Sequence, residues 1–124
     1  MDLKEYFENT KGVGVISTAD TDGRVDAAIY ARPHIMDDGL LAFIMRDRTT
    51  HTNTKANPHA TFLFKEEGPG YRGKRLYLTK VREEVDAELI KHLSRRNYPS
   101  GENSQEAKFL VYFKVDRERP LIGG

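Results

Sequence analysis

Apolar residues in the first third of the chain change from a helical to a strand-like spacing. Near the N-terminus they are three and four residues apart, which predicts a short amphipathic helix over residues 2–11 from Leu3, Tyr6 and Phe7. The run VGVISTA at residues 13–19 is typical of a buried strand. After the turn residues 20–23 (DTDG), apolar residues alternate over residues 24–32, at Val25, Ala27, Ile29 and Ala31. The two runs predict a β-hairpin.

Four further strands and two further helices are predicted downstream. The strands cover residues 40–45, 59–64, 74–83 and 109–115, with a turn at residues 37–39 (DDG) before the first of them. Thr49 or Thr50 is expected to cap a short helix that is ended by Asn57 and Pro58. A last helix is predicted over residues 84–97, before Pro99-Ser100-Gly101, with an apolar face formed by Val85, Leu89, Ile90 and Leu93.

The number and spacing of these elements limit the architecture. At 124 residues the chain is expected to be one domain, residues 1–124. Six strands joined mostly by short turns, with one late crossover helix, favour a mainly β fold whose antiparallel sheet closes into a small barrel. An open α+β sheet with the helices on one face is the alternative.

Composition and charge argue against several classes of function. The 20 Lys and Arg residues nearly balance the 19 Asp and Glu residues, and this net charge of +1 predicts no nucleic-acid partner. The absence of cysteine excludes disulfides, thiolate metal sites and a cysteine nucleophile. No apolar stretch approaches the roughly 18 residues of a membrane span, and the charged N-terminus does not resemble a secretory signal. We therefore expect a cytoplasmic protein without a membrane partner.

Common catalytic and metal-binding motifs are missing from the sequence. It contains no GxSxG, GxGxxG, GxxxxGK[ST] or HExxH motif. The histidines do not have the spacing of a ligand set, so no metal site is predicted. The adjacent acids Glu83 and Glu84 are expected to be solvated or to favour a helix start. No catalytic residue is assigned.

The stretch RDRTTHTNTKANP, residues 46–58, concentrates hydrogen-bond donors where a strand ends and a helix begins. The free N–H groups and the partial positive charge of a helix N-terminus favour an anion. Phosphate fits this position, and side-chain donors would supplement the helix from Arg48, Thr50, His51 and Asn53. The alternative is that a threonine caps the helix while the other side chains face water.

The order of motifs from Thr18 to Phe64 resembles the core of the pyridoxamine 5'-phosphate oxidase-like, FMN-binding split-barrel family. The shared features are a DG hairpin, a strand that ends in a basic residue, a second DG turn and strand, a loop with arginine and hydroxyl donors, and an NP pair before the next strand. The resemblance implies a six-stranded antiparallel split β-barrel that binds FMN. It also implies a homodimer with FMN at the subunit interface.

The resemblance further implies a set of cofactor-binding residues. The isoalloxazine ring is expected against Ala28, Ile29, Tyr30 and Ala31, beside a wall formed by Phe43, Ile44 and Met45. The FMN phosphate is expected at Arg32, Arg48, Thr49, Thr50, His51 and Asn53. In the dimer, the pocket is expected to be completed from the other subunit by Tyr71, Arg72 or Lys74.

Two departures from the family pattern bear on activity. Thr50 stands where many relatives have a lysine, which leaves the phosphate charge to Arg48 and Arg32. The C-terminal segment from Val115 to Leu121 lacks the arginine-rich ending of true pyridoxamine phosphate oxidases. The implied function is an FMN-dependent oxidoreductase that uses NAD(P)H or a small-molecule substrate, rather than an enzyme of vitamin B6 oxidation.

Two other functions are compatible with the sequence. One is a non-catalytic carrier of FMN or haem, in which the axial haem ligand would be His34, His51 or His59. The other is a cofactor-free dimeric ligand-binding module, in which the TTHTNT stretch only caps a helix.

Overall fold

The computed structural model describes residues 2–97 and 108–123, which form one seven-stranded sheet and three helices. In chain order the elements are α1 Leu3–Asn9, β1 Gly12–Ala19, β2 Val25–Tyr30, β3 His34–Ile35, β4 Leu41–Arg46, α2 Thr49–Ala56, β5 His59–Glu66, β6 Gly73–Glu84, α3 Ala87–Asn97 and β7 Lys108–Pro120. The six predicted strands and the three predicted helices are all present. Among residues 2–97 and 108–123, the one element that was not predicted is β3, a two-residue strand that pairs with the start of β4.

The sheet curls into a half-barrel. All its strand pairs are antiparallel, in the order β2-β1-β5-β6-β7-β4-β3. Although β2 and β4 lie near opposite ends of this order, Tyr30 of β2 packs edge-on against Phe43 of β4, with ring centroids 6.0 Å apart. The curl therefore brings the two ends of the sheet together. The predicted mainly β barrel is confirmed, in the form of a split β-barrel.

Aromatic side chains fill the inside of the barrel. Alternate residues of β5 point inward, so Phe62 and Phe64 are fully buried while Leu63 between them is 36% exposed. Helix α1 covers this end of the core, and its Phe7 packs on both phenylalanines at centroid distances of 6.1 and 5.2 Å. Asp2 caps α1 by accepting a hydrogen bond from the backbone N–H of Glu5.

Gly14 allows β1 to pack closely on this core. A Cβ atom at this position would lie 2.4 Å from the ring of Phe62 and 2.8 Å from the backbone oxygen of Tyr30. No side chain fits at that distance, so a residue without a Cβ is required here.

Helix α3 packs on the outside of the sheet, over β4 and β7. Its Ile90 is 5% exposed and belongs to a second apolar cluster with Ala42, Leu110 and Tyr112. The predicted helix start is wrong by three residues. Strand β6 continues through Glu84, and Asp86 accepts a hydrogen bond from the backbone N–H of Leu89 as the helix begins. Val85, predicted on the apolar helix face, lies before the helix and is 66% exposed.

Strand β7 is longer than predicted, and part of the predicted connection between α3 and β7 lies outside the described residues. Strand β7 continues to Pro120, beyond the predicted end at Val115, because it stays paired with the first half of β6. Pro99-Ser100-Gly101, predicted to follow the helix, lies outside the described residues.

The apolar face of β2 points away from the barrel core. Val25 is 83% exposed and Ile29 is 72% exposed, whereas Ala28 and Tyr30 on the opposite face pack against the core. The alternation predicted from the sequence is confirmed. Strand β2 lies at the edge of the sheet. Its inward face borders the space between β2 and β4.

Candidate functional site

A cavity of about 360 Å³ lies between β2 and β4, next to the start of α2. Its volume is within the range of small-ligand pockets. One part is lined by the two strands, with Ala28, Ile29, Tyr30, Ala31, Phe43 and Ile44. Polar side chains lie at both ends of this wall: Arg32 and His34 are near the start of β4, and Arg46, Arg48, Thr50 and Lys108 are near its end, next to α2. The cavity therefore has an apolar wall and a cationic end.

The apolar wall rests directly on the barrel core. Phe43 is 1% exposed and is held by Phe62 and Phe113, with centroid distances of 5.0 and 5.8 Å. Tyr30 meets Phe43 edge-on across the gap between the strands. A wall fixed in this way can bind a flat ring with little loss of side-chain freedom.

The cationic end is unusual for a chain with a net charge of +1. It collects Arg46, Arg48 and Lys108, and none of the described residues that line the cavity is acidic. Arg46 and Lys108 are direct neighbours in the register of β4 and β7. Register neighbours project on the same side of a sheet, so one bound anion can contact both side chains. The composition of this end is suited to an anionic group.

The start of α2 contributes to the same end of the cavity. The N-cap residue is Arg48, and no side chain accepts a capping hydrogen bond from the first turn. The predicted cap at Thr49 or Thr50 is therefore wrong, since both threonines lie inside the helix, and Thr50 lines the cavity. The first turn also contains no acidic residue. Its N–H groups and partial positive charge thus face the cationic end without a competing side-chain acceptor from the cap.

Arg32 is tied to helix α1 as well as lining the cavity. Its Nη1 donates hydrogen bonds to the backbone oxygens of Phe7 and Thr10, at 2.7 and 3.1 Å. These oxygens belong to the C-terminal end of α1, where a positive charge is favourable. The guanidinium is therefore held in place by the fold before any ligand binds.

Four of the predicted cofactor-binding residues do not line the cavity. Met45 is fully buried in the barrel core, and Thr49 is exposed at the helix start. Asn53 donates a hydrogen bond of 3.1 Å to the hydroxyl of Thr18, which connects α2 to β1. His51 is also turned elsewhere, toward β6 and β7. The other nine predicted residues all line the cavity.

His51 lies between two carboxylates. Its side chain is 1% exposed, with Nδ1 3.0 Å from Asp47 and Nε2 3.0 Å from Glu83. Burial alone would raise the pKa of Glu83, but hydrogen bonds from Lys80 and His51 and their charges hold this pKa below its usual value. The prediction that Glu83 and Glu84 are solvated or start a helix is wrong. Both belong to β6, and Glu84 accepts a hydrogen bond from the Tyr112 hydroxyl.

Arg46 and Lys108 line the cavity but were not predicted as binding residues. Arg46 begins the donor-rich stretch, and its place at the end of β4 was a usable signal. Lys108 is far away in sequence and carries no local motif. Only the pairing of β4 with β7 brings it beside Arg46.

The histidines considered as haem ligands have different surroundings. His34 is 8% exposed and lines the cavity. Both ring nitrogens of His51 face carboxylates, so ligation by His51 would break one of these contacts. His59 lies on the exposed side of β5, near the Thr79 hydroxyl. Within residues 2–97 and 108–123, no three potential ligand side chains converge as a metal site.

A scan against models of protein families and a search of curated proteins found no match. An FMN-binding protein from Syntrophomonas wolfei subsp. wolfei has a similar structure, with a TM-score of 0.77 and 17% identity over 98% of this chain and 85% of that one. The chain has the split-barrel fold of the FMN-binding, pyridoxamine 5'-phosphate oxidase-like proteins.

Two more split barrels support the same fold. An F420 reductase matches with a TM-score of 0.71 and 20% identity, over 96% of this chain and 98% of that one. A protein from Listeria innocua, provisionally assigned as a pyridoxamine 5'-phosphate oxidase, matches with a TM-score of 0.68 and 20% identity, over 94% and 93%. At these identities the likeness concerns the fold. In the part of the split barrel that the structure describes, no helix is both long and apolar enough to span a membrane.

Proposed function

We propose that this split barrel is an FMN-binding flavoprotein. The observation that carries the proposal is the division of one cavity into an apolar, aromatic wall and an end with three cationic side chains, Arg46, Arg48 and Lys108. FMN has the same division, because a flat ring system and a phosphate stand at its two ends. The fold shared with an FMN-binding protein adds support.

Each part of FMN has a matching set of residues in this cavity. The ring would lie against the wall that includes Ala28, Tyr30 and Phe43, and the phosphate would bind at the cationic end. Arg48 and the first turn of α2 supply a charge and N–H donors there. Lys108 supplies, from β7, the lysine charge that Thr50 does not provide within the loop.

We infer further that the flavoprotein is an oxidoreductase. Bound FMN would supply hydride or electron transfer, while the chain orients the ring and anchors the phosphate. NAD(P)H is the proposed electron donor. Tyr30 and His34 line the cavity and are the side chains that we propose to test for proton exchange with a bound substrate.

A titration of the purified chain tests the cofactor. We expect FMN to bind with a quenched and shifted flavin spectrum, and riboflavin to bind more weakly because it lacks the phosphate. A Soret band in freshly purified protein would support the haem carrier instead. A colourless protein that neither FMN nor riboflavin titrates would support the cofactor-free module. Oxidation of NAD(P)H by the FMN-loaded protein then tests the oxidoreductase.

We also propose that the split barrel is a homodimer. An apolar row crosses three strands on the outer face of the sheet, formed by Ile29, Val15 and Leu63, which are register neighbours. Ile29 is 72% exposed and Leu63 is 36% exposed. A second copy of the chain would cover this row. Because Ile29 also lines the cavity, the same contact would close the cavity on that side.

Leu63→Glu is expected to shift the protein from dimer to monomer. The substitution places a charge at the β5 end of the apolar row, where dimerisation would remove it from water. Analytical ultracentrifugation over a range of concentrations measures the effect. Val85→Glu is the matched control, since Val85 is 66% exposed and lies near the start of α3, outside the row. A dimer that Val85→Glu disrupts and Leu63→Glu leaves intact would place the interface elsewhere.

A further inference from the structure

His51 is a buried, titratable side chain that the proposed FMN site does not use. Its ring stacks on Phe109 of β7, with a centroid distance of 4.0 Å and an angle of 18° between the planes. Nδ1 lies 3.0 Å from Oδ1 of Asp47, and Nε2 lies 3.0 Å from Oε2 of Glu83. The imidazole therefore connects the loop before α2 with strand β6.

Both ring nitrogens of His51 lie within hydrogen-bond distance of a carboxylate. An ionised carboxylate only accepts hydrogen bonds, and a neutral imidazole has one N–H to donate. Both contacts are hydrogen bonds when His51 carries a proton on each nitrogen. The other charged group in this cluster is Lys80, whose Nζ lies 2.5 Å from Oε1 of Glu83. The cluster thus consists of an imidazole between two carboxylates, one of which also accepts a hydrogen bond from a lysine.

In the sequence, Asp47 lies between two arginines of the cationic end. Arg46 and Arg48 line the cavity, whereas Asp47 does not. Its side chain is 64% exposed and is bonded to His51. A carboxylate that turned toward either arginine would compete with an anionic ligand for the guanidinium. The direction in which Asp47 points therefore affects the anion site.

We propose that His51 is a positioning residue that holds the Asp47 carboxylate away from the cavity. The carboxylate then does not compete with an anionic ligand for Arg46 and Arg48. His51 acts on the ligand only through Asp47, since its own ring nitrogens face Asp47 and Glu83. The inference rests on the proposed function in one respect, namely that FMN is the anionic ligand.

A double-mutant cycle at positions 51 and 47 tests this role. His51→Gln is expected to weaken FMN binding by about 3- to 5-fold, because a released carboxylate pairs with an arginine, with little change for riboflavin. Adding Asp47→Asn is expected to restore FMN affinity to within about twofold of that of Asp47→Asn alone. If Asp47→Asn restores nothing, His51 acts through packing and the proposal is overturned.

Glu83→Gln is the matched control for the same ring. It removes a carboxylate from Nε2 and leaves the contact between His51 and Asp47 in place. We expect FMN affinity to stay within about twofold of the parent protein. A loss as large as that of His51→Gln would mean that the cluster anchors α2 as a whole, which contradicts a role through Asp47.

Asp47→Asn by itself gives a test that does not depend on a substitution in the core. If the carboxylate is held away, removing its charge changes FMN affinity by less than about twofold. Tightening by about fivefold or more would show that Asp47 already competes for the arginines, and would overturn the proposal.

Inorganic phosphate, titrated into the same variants and followed by NMR, separates this proposal from that of FMN binding. If phosphate affinity falls in His51→Gln and is restored by Asp47→Asn, but FMN does not bind, the cofactor assignment fails and the role of His51 stands. If no variant binds either phosphate or FMN, both proposals fail.

Discussion

Arg48→Ala is expected to weaken FMN binding by about 10- to 150-fold and to change riboflavin binding little. Arg48 lines the cationic end and is the N-cap residue of α2. A charge-assisted hydrogen bond contributes about 1.5–3 kcal/mol, which corresponds to this range of affinities. Riboflavin lacks the phosphate, so its affinity reports only on the ring and the ribityl chain. Flavin fluorescence titration measures both ligands.

Arg24→Ala is the matched control for loss of an arginine. Arg24 lies in the exposed turn before β2 and does not line the cavity. We expect it to leave both affinities unchanged at constant ionic strength. Equal losses for FMN and riboflavin in Arg48→Ala would mean that Arg48 does not contact the phosphate.

Phe62→Ala is expected to lower the free energy of unfolding by about 3–5 kcal/mol. Phe62 is fully buried and packs on Phe7, Phe43 and Phe64. Its removal leaves a large void that the ring-packed core cannot fill. Since a domain of this size is stable by only about 5–15 kcal/mol, this one change would remove a large part of the total. Urea unfolding at a fixed protein concentration measures the effect.

Val85→Ala is the comparison for Phe62→Ala. Val85 is 66% exposed, so we expect a change within about 0.5 kcal/mol. A small loss in Phe62→Ala would contradict the packing of the barrel core described above. We also expect Phe62→Ala to weaken riboflavin, because Phe62 supports Phe43 in the apolar wall. The loss of riboflavin affinity distinguishes Phe62→Ala, which alters the apolar wall, from Arg48→Ala, which alters the contact with the phosphate.

The elements were predictable to within a few residues because their signals are local. The spacing of Leu3, Tyr6 and Phe7 reports on one face of a helix, and the DTDG turn reports on its own backbone. The predicted start of α3 was wrong because the sequence around Glu84 and Val85 is compatible with both the end of a strand and the start of a helix. Pairing of β6 with β7 extends the strand through Glu84. Tertiary hydrogen bonding thus decides between two local possibilities.

The candidate site was predictable where it is continuous in sequence. Strands β2 and β4 carry their cavity residues on short segments, which the resemblance located. Proximity in sequence was misleading for His51 and Asn53, because successive residues of a helix point in different directions. Thr50 faces the cavity, while His51, the next residue, faces Glu83.

The sequence by itself determined the class of fold, the order of its elements and the stretch in which an anion site begins. Periodicity, turn residues and the donor-rich loop are properties of neighbouring residues, and these can be read without coordinates. Only the tertiary structure decided that Lys108 joins Arg46 at the cavity, that β2 turns Val25 and Ile29 outward, and that His51 bridges Asp47 and Glu83. Each depends on strand pairing or on the curl of the sheet, which bring together residues from distant parts of the chain.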